Sequence, residues 1–74
     1  MADKILDVRG LRCPLPIIKA QRALNEIAIG ATLVVLATDT GAPDDFEAFC
    51  HTNGHVLLES TASTCFRFVI RRKV

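Results

Sequence analysis

The sequence predicts an α+β two-layer sandwich, a four-stranded mixed sheet with two helices on one face. Short apolar, β-branched runs alternate with two segments whose apolar residues recur at spacings of three and four. Glycine and proline stand where these segments begin or end. The 74 residues are enough for one domain over residues 1–74, and half of them are apolar, which favours a folded core over disorder.

The first half of the chain predicts a strand, a helix and a second strand. Residues 4–8 form a short apolar run typical of a strand. Residues 14–28 predict a helix that ends before Gly30, because its apolar side chains form one stripe of Ile17, Ala20, Leu24 and Ile27. Residues 32–38 are almost continuously apolar, which predicts an interior strand, and the helical crossover predicts that it runs parallel to the first.

The second half predicts a helix followed by two strands. Pro43 opens the helix, and Asn53-Gly54 ends it. Residues 55–61 and 65–72 predict strands joined by a tight connection, and the second of them alternates apolar and basic residues. The order is therefore β-α-β-α-β-β. Two helices cover only one face of such a sheet, so we expect the other face to show some of the side chains of Val34, Leu36 and Val69 as a docking surface.

The stretch from Arg9 to Pro16 contains the candidate site. Gly10 permits a sharp turn from the first strand, and Pro14 and Pro16 fall where a first helical turn begins, a place that tolerates proline. This puts Cys13 at or beside the helix N-cap, with Arg12 as its neighbour and Arg9 close behind. A helix N-terminus and guanidinium groups both favour thiolate over thiol, and lower a cysteine pKa from about 8.5 into the range of about 3.5–7.5. The sequence thus predicts a reactive Cys13 with a lowered pKa, although a lone cysteine is often only a small core residue.

The other residues that could take part in chemistry are interpreted as structural or surface residues. Cys50 lies on the apolar face of the second helix and is expected in the core, and Cys65 is assigned no chemistry. His51 and His55 are four residues apart, but Gly54 interrupts the helix between them, so no metal site is expected. The acidic residues Asp39, Asp44 and Asp45 are interpreted as helix-capping acids, and the basic terminus Arg71-Arg72-Lys73 as a solvated tail.

Composition narrows the class of function. The net charge of +1 and the four aromatic residues do not favour direct nucleic acid binding. The odd count of three cysteines, without a CxxC pair, favours a reducing compartment, and the N-terminus lacks the pattern of a signal peptide. No apolar run approaches the length of a membrane span. We therefore expect a cytoplasmic protein.

Two common functions of a reactive cysteine do not fit this sequence, and a sulfur carrier remains. A hydrolase needs a base within reach of the nucleophile, and no base is placed near Cys13 by the sequence. A disulfide oxidoreductase needs a resolving cysteine, and Leu15 and Pro16 occupy its positions. A single activated cysteine on a small body fits a protein that holds sulfane sulfur as a persulfide and yields it to another protein, without a cofactor.

The run from Asp7 to Pro16 resembles the signature of the TusA/SirA-like sulfur carrier family, which is a Cys-Pro-x-Pro at the start of the first helix. Residues 39–46, the pair Gly54-His55 and the closing aromatic and basic strand also follow the pattern of that family, so the resemblance covers essentially the whole chain. It implies a sheet with both helices on one face.

The resemblance also implies a function. Cys13 would carry the persulfide, supported by Arg9, Gly10, Arg12, Pro14 and Pro16. The donor would be a cysteine desulfurase or a rhodanese-type sulfurtransferase, and an acceptor protein would lead the sulfur toward 2-thiouridine in tRNA, molybdenum cofactor or sulfur oxidation. The chain would then be a sulfurtransferase component rather than an independent enzyme.

The alternative is a non-catalytic regulatory module that binds RNA or protein, because the same form resembles the C-terminal domain of translation initiation factor three. Fold alone does not decide function.

Overall fold

The computed structural model describes residues 3–74 and contains the predicted order of elements, β-α-β-α-β-β. The four strands are β1 Lys4–Val8, β2 Thr32–Ala37, β3 Val56–Ala62 and β4 Phe66–Arg71. The two helices are α1 Leu15–Glu26 and α2 Ala42–Asn53. Within residues 3–74, neither helix is long and apolar enough to cross a membrane.

The sheet is mixed, as predicted, with the strand order β1-β2-β4-β3. β1 and β2 are parallel, and the last residue of β1, Val8, pairs with the last residue of β2, Ala37. β4 is antiparallel to both of its neighbours, so its first residue, Phe66, also pairs with Ala37. We call the end of the sheet where β1 and β2 finish and β4 begins the carboxyl edge. The loops that leave β1 and β2 both start there.

Both helices pack on one face of the sheet and share one hydrophobic core, which confirms the two-layer prediction. The side chains of alternate residues of β2 and β4 point into this core, and Phe46 of α2 stacks on Phe68 of β4 with ring centroids 4.7 Å apart. The largest fully buried side chains come from both helices and from strands β1, β2 and β4. They are Val8, Leu24, Leu33, Val35, Phe46, Phe68 and Ile70. Burial of such side chains is the main source of stability in a chain of this size.

The opposite face of the sheet is less open at its centre than the sequence predicts. Val34 is only 5% exposed, because it lies on an interior strand with Ile5 and Val69 on either side of it in register. Leu36 and Val69 are half-buried. The most exposed apolar side chains of this face are Ile5 on β1 and Leu58 on β3, and a shallow groove of about 430 Å³ runs beside Leu58.

The predicted element ends are off by one or two residues. α1 begins one residue after Pro14 and ends two residues before residue 28, because Ile27 is already extended at φ −105° and ψ 160°. α2 begins at Ala42, one residue before Pro43, and ends as predicted at Gly54, which has a φ of +76°. The last three strands each differ from the prediction by a single residue at one or both ends.

Candidate functional site

The predicted site residues lie on one loop at the carboxyl edge and on the first turn of α1. Residues 9–14 connect β1 to α1, and residues 38–41 connect β2 to α2 beside them. The short connection between β3 and β4, residues 63–65, reaches the same edge. Three loops that are distant in sequence therefore lie at the edge of the sheet that carries the candidate cysteine.

Gly10 fixes the first loop to the end of β2. Its φ of +83° is a left-handed conformation that side chains with a Cβ rarely adopt. Its backbone N–H donates to the Oγ1 atom of Thr38 over 2.8 Å. The next residue, Leu11, donates to the carbonyl of Val8 and packs against the core. The loop is thus anchored on both sides before it reaches Cys13.

The two prolines start α1 as predicted. Pro14 is the N-cap residue, and its carbonyl accepts a hydrogen bond from the N–H of Ile18 over 3.1 Å. Pro16 is the second helical residue and is buried. The peptide bond between Cys13 and Pro14 is cis. Cys13 therefore lies immediately before the N-cap, which confirms the predicted position beside the helix start.

The two arginines do not act on Cys13 as the sequence predicts. The guanidinium of Arg9 binds both carboxylate oxygens of Asp7, with distances of 2.9 and 2.8 Å. This pairing lowers the pKa of Asp7 to about 2. Arg12 is exposed, and its side chain has no hydrogen bond or ion pair among residues 3–74. The positive charge of Arg9 is therefore paired with Asp7, two residues earlier in the chain, and not with the sulfur of Cys13.

The Cys13 side chain is exposed and free, but acidic groups surround it. Interaction with the Asp45 carboxylate raises the pKa of Cys13 above its ordinary value. Burial of the thiol and the negative charges of Asp45 and Asp39 raise the pKa further. The prediction of a lowered pKa is therefore wrong, because acidic groups of α2 and of the loop before it, and not the two arginines, act on the sulfur.

The effect of Asp45 on Cys13 is the feature of the site that sequence reasoning missed, since this acid was interpreted only as a helix cap. It lies half-buried in the first turn of α2, whose N-cap, Gly41, receives no side-chain cap. A methyl group added to Gly41 would lie 3.3 Å from Oδ2 of Asp39 and 3.5 Å from Oδ2 of Asp45, so both carboxylates flank this glycine. Asp39 also accepts the N–H of Gly41 over 3.2 Å. The signal was the topology, because parallel β1 and β2 bring the residues that follow them together.

Cys65 occupies a separate hollow at the same edge. Its side chain is half-buried. The hollow has a volume of about 200 Å³ and is lined by Thr38, Thr40, Ala62, Ser63, Thr64, Cys65 and Phe66. Cys13 is not part of that lining. The structure therefore separates the two cysteines into different surroundings.

The remaining candidates have structural roles. Cys50 is buried, and burial raises its pKa to about 11, which confirms the predicted place in the core. His51 is exposed at the end of α2, whereas the ring of His55 lies 6.1 Å from that of Phe49 and its Nδ1 accepts the backbone N–H of Lys73. No cluster of three or more metal-ligating side chains occurs within the described part of the chain.

Comparison with known proteins gives a consistent result. The family model described as sulfurtransferase TusA matches residues 4–72. A proposed sulfur carrier protein of Neisseria meningitidis serogroup A is 51% identical over 74 residues, which is 99% of this chain and 100% of that protein. The sulfur carrier protein TusA of Allochromatium vinosum is 44% identical over 71 residues, 95% of this chain and 93% of that protein. The proposed sulfur carrier YrkI of Bacillus subtilis is 48% identical over 60 residues, 81% of this chain and 80% of that protein.

Proposed function

The chain belongs to the TusA sulfurtransferase family, and we propose that it carries sulfane sulfur as a persulfide on Cys13 and relays it from a donor protein to an acceptor protein. The observation that carries this proposal is the exposure of the Cys13 thiol at the start of α1. Cys50 is buried, and Cys65 is half-buried in its own hollow. Cys13 is therefore the most accessible of the three cysteines to a visiting protein.

The transfer step needs only sulfur–sulfur exchange. The Cys13 sulfur attacks the terminal sulfur of a donor persulfide, and a new S–S bond forms as the S–S bond of the donor breaks. The electron pair of that bond leaves with the donor cysteine as a thiolate, and the proton of Cys13 passes to solvent or to the departing sulfur. Sulfane sulfur thus moves without a net oxidant or reductant, and the acceptor repeats the step with Cys13 as the leaving group.

The surface around Cys13 favours transfer between proteins over turnover of a small molecule. Neither the hollow of about 200 Å³ nor the groove of about 430 Å³ includes Cys13 in its lining. Instead, Leu15 and Ile18 of α1, close to Cys13 in sequence, are 44% and 54% exposed. Exposed apolar side chains beside a reactive group are what a docking protein buries. This favours a sulfurtransferase component that depends on partners.

For the donor we propose a cysteine desulfurase or a rhodanese-type sulfurtransferase, in line with the sulfur carrier names of the relatives. The acceptor would be a further sulfur-relay protein on a route to 2-thiouridine in tRNA, molybdenum cofactor or sulfur oxidation. These routes use the same chemistry at Cys13, so they are separated by the acceptor that the protein loads.

Loading of the purified chain tests the proposal. After incubation with a cysteine desulfurase and cysteine, or with glutathione persulfide, we expect a mass gain of about 32 Da on the peptide that contains Cys13. The Cys13→Ser variant should gain nothing, and Cys65→Ser is the matched control that should load like the wild type. Equal loading of Cys13→Ser would rule out Cys13 as the carrier.

A further inference from the structure

The loop that carries Cys13 is joined to a distant part of the chain by one backbone hydrogen bond among residues 3–74. The N–H of Gly10 donates to Oγ1 of Thr38, the residue directly after β2, over 2.8 Å. The other backbone N–H groups of residues 9–14 that form hydrogen bonds find their acceptors in the last two residues of β1, which precede the loop. Thr38 is therefore the side chain that holds the backbone of this loop against the end of β2.

The sheet holds Thr38 in place. The preceding residue, Ala37, is fully buried and pairs with Val8 of β1 on one side and with Phe66 of β4 on the other. Because β2 is an interior strand, its end is held by both neighbours, and the hydroxyl that follows it is a fixed acceptor. The Thr38 side chain itself is exposed, and one such hydrogen bond adds only modestly to the stability of a fold. Its loss should therefore release the loop without unfolding the chain.

Cys13 lies between this bond and the start of α1. On the helix side, the carbonyl of Pro14 accepts the N–H of Ile18 over 3.1 Å, and α1 is packed into the core. On the other side the anchor is Gly10, whose φ of +83° lies in a region that glycine enters freely, so this residue does not limit the loop by itself. The bond to Thr38 therefore decides where the loop, and the sulfur with it, lies relative to the exposed apolar side chains of α1.

The position of the sulfur matters most when the sulfur donor is a protein. In sulfur–sulfur exchange the attacking sulfur approaches along the axis of the S–S bond that breaks. A small persulfide turns until its S–S bond points at Cys13. A docked protein is held by its contact with the surface of the carrier, so both sulfurs must already be in position, and a misplacement of about 1 Å slows such a step strongly.

We propose that Thr38 is a positioning residue for sulfur transfer between proteins, because its hydroxyl holds the turn at Gly10 that places Cys13 for a docked donor or acceptor. This inference rests on the proposed function and adds a residue to which the sequence assigned no role. Thr38 acts through Gly10 and leaves the exchange itself unchanged. In that exchange Cys13–SH and R–S–SH give Cys13–S–SH and R–SH, so one S–S bond breaks, one forms and the protons balance.

Two kinds of sulfur donor separate position from reactivity. Loading of Cys13 is followed by mass spectrometry in a single turnover, first with a persulfidated cysteine desulfurase or rhodanese-type sulfurtransferase and then with glutathione persulfide. Thr38→Val replaces the acceptor oxygen by a methyl group at nearly constant volume, and we expect the rate from the protein donor to fall by about threefold to tenfold. The rate from glutathione persulfide should change by less than about twofold. Thr38→Ser keeps the oxygen and should restore the rate of transfer from the protein.

Thr40→Val is the matched control, since Thr40 lies in the same loop, lines the same hollow as Thr38 and forms no side-chain hydrogen bond within the described part of the chain. It should load at the wild-type rate from both kinds of donor, and urea unfolding shows that each variant is folded. An unchanged rate of protein transfer in Thr38→Val, an equal fall with both kinds of donor, or an equal fall in Thr40→Val would overturn the inference while the proposed function stands.

The wild type separates failure of the inference from failure of the proposed function. Loading by glutathione persulfide and by neither class of protein donor would overturn both the inference and the relay from a donor protein. A wild-type chain that takes up no sulfur at Cys13 would overturn the whole of the proposed function, and this inference with it.

Discussion

The arginines at the two ends of the sheet differ in their contacts. At the end away from Cys13, Arg72 donates from Nη1 to the carbonyl of Ile27 over 2.6 Å and to that of Asn25 over 3.4 Å, and from Nε to the carbonyl of Val74. These bonds satisfy backbone groups where α1 ends. At the carboxyl edge, Arg12 and Cys13 are both exposed, and the nearby acids Asp45 and Asp39 raise the pKa of Cys13.

The difference shows how a chain of this size combines a stable fold with an accessible sulfur. One arginine closes the far end by joining α1 to the C-terminal residues, which are distant in sequence. The carboxyl edge leaves its groups accessible, because transfer requires that another protein reach them. The backbone contacts of Arg72 and the accessible Cys13 therefore lie at opposite ends, and changes at the two ends should have different consequences.

The largest effect on stability should come from Arg72. Arg72→Met removes three side-chain hydrogen bonds to backbone carbonyls, so we expect the free energy of unfolding to fall by about 2–3 kcal/mol. Sulfur loading of Cys13 should stay unchanged in the folded variant. Urea unfolding measures the first effect and mass spectrometry the second. Arg71→Met is the control, since Arg71 is exposed on the neighbouring position; an equal loss of stability there would show that Arg72 has no special role.

A smaller effect is expected at two glycines, one at each end. Gly10 has a φ of +83° and Gly30 a φ of +91°, and an added methyl group would meet nothing within 4 Å at either position. Gly10→Ala and Gly30→Ala should therefore lose a similar amount of stability, about 1 kcal/mol each, from backbone strain alone. Only Gly10→Ala should also slow loading, because Gly10 fixes the loop that carries Cys13 to Thr38. The same loading rate for both variants would contradict this division between the ends.

The smallest expected effect is the contribution of Asp7 to stability at low pH. Arg9 lowers the pKa of Asp7 in the folded chain to about 2. Since the folded pKa lies below the unfolded one, this pair stabilises the fold above about pH 4, and its contribution is lost as the pH falls toward about 2. Asp7→Asn should flatten the fall of the urea midpoint across this range. Asp44→Asn, at an exposed acid without an ion pair among the described residues, should keep the wild-type slope, and a flat wild-type curve would show that the pair contributes nothing.

Local patterns in the sequence were sufficient to predict the helices and strands of this fold. The features that the sequence did not predict depend on contacts between residues that are distant in the chain. The alternation of Phe66, Phe68 and Ile70 predicts a strand with one buried face, and the structure confirms it. The early end of α1 was not predictable from its own residues, since Arg72 binds the carbonyl of Ile27 from the other end of the chain.

The same limit applies to the site. The position of Cys13 before the helix was predictable from the spacing of Pro14 and Pro16. Its electrostatic surroundings were not, because Asp45 of α2 raises the pKa of the sulfur and Arg9 pairs with Asp7 instead. Helix-start acids are common, and only the parallel pairing of β1 with β2 shows that these acids lie beside the cysteine.

The pH dependence of Cys13 alkylation tests most directly whether acidic neighbours hold this sulfur as a thiol. Iodoacetamide reacts with the thiolate, so the rate on the Cys13 peptide, followed by mass spectrometry across pH, reports the pKa of that group. We predict a midpoint above the ordinary thiol value of about 8.5, and a lower midpoint in Asp45→Asn. A wild-type midpoint below about 8.5, unaffected by loss of the carboxylate, would contradict the arrangement described for this edge.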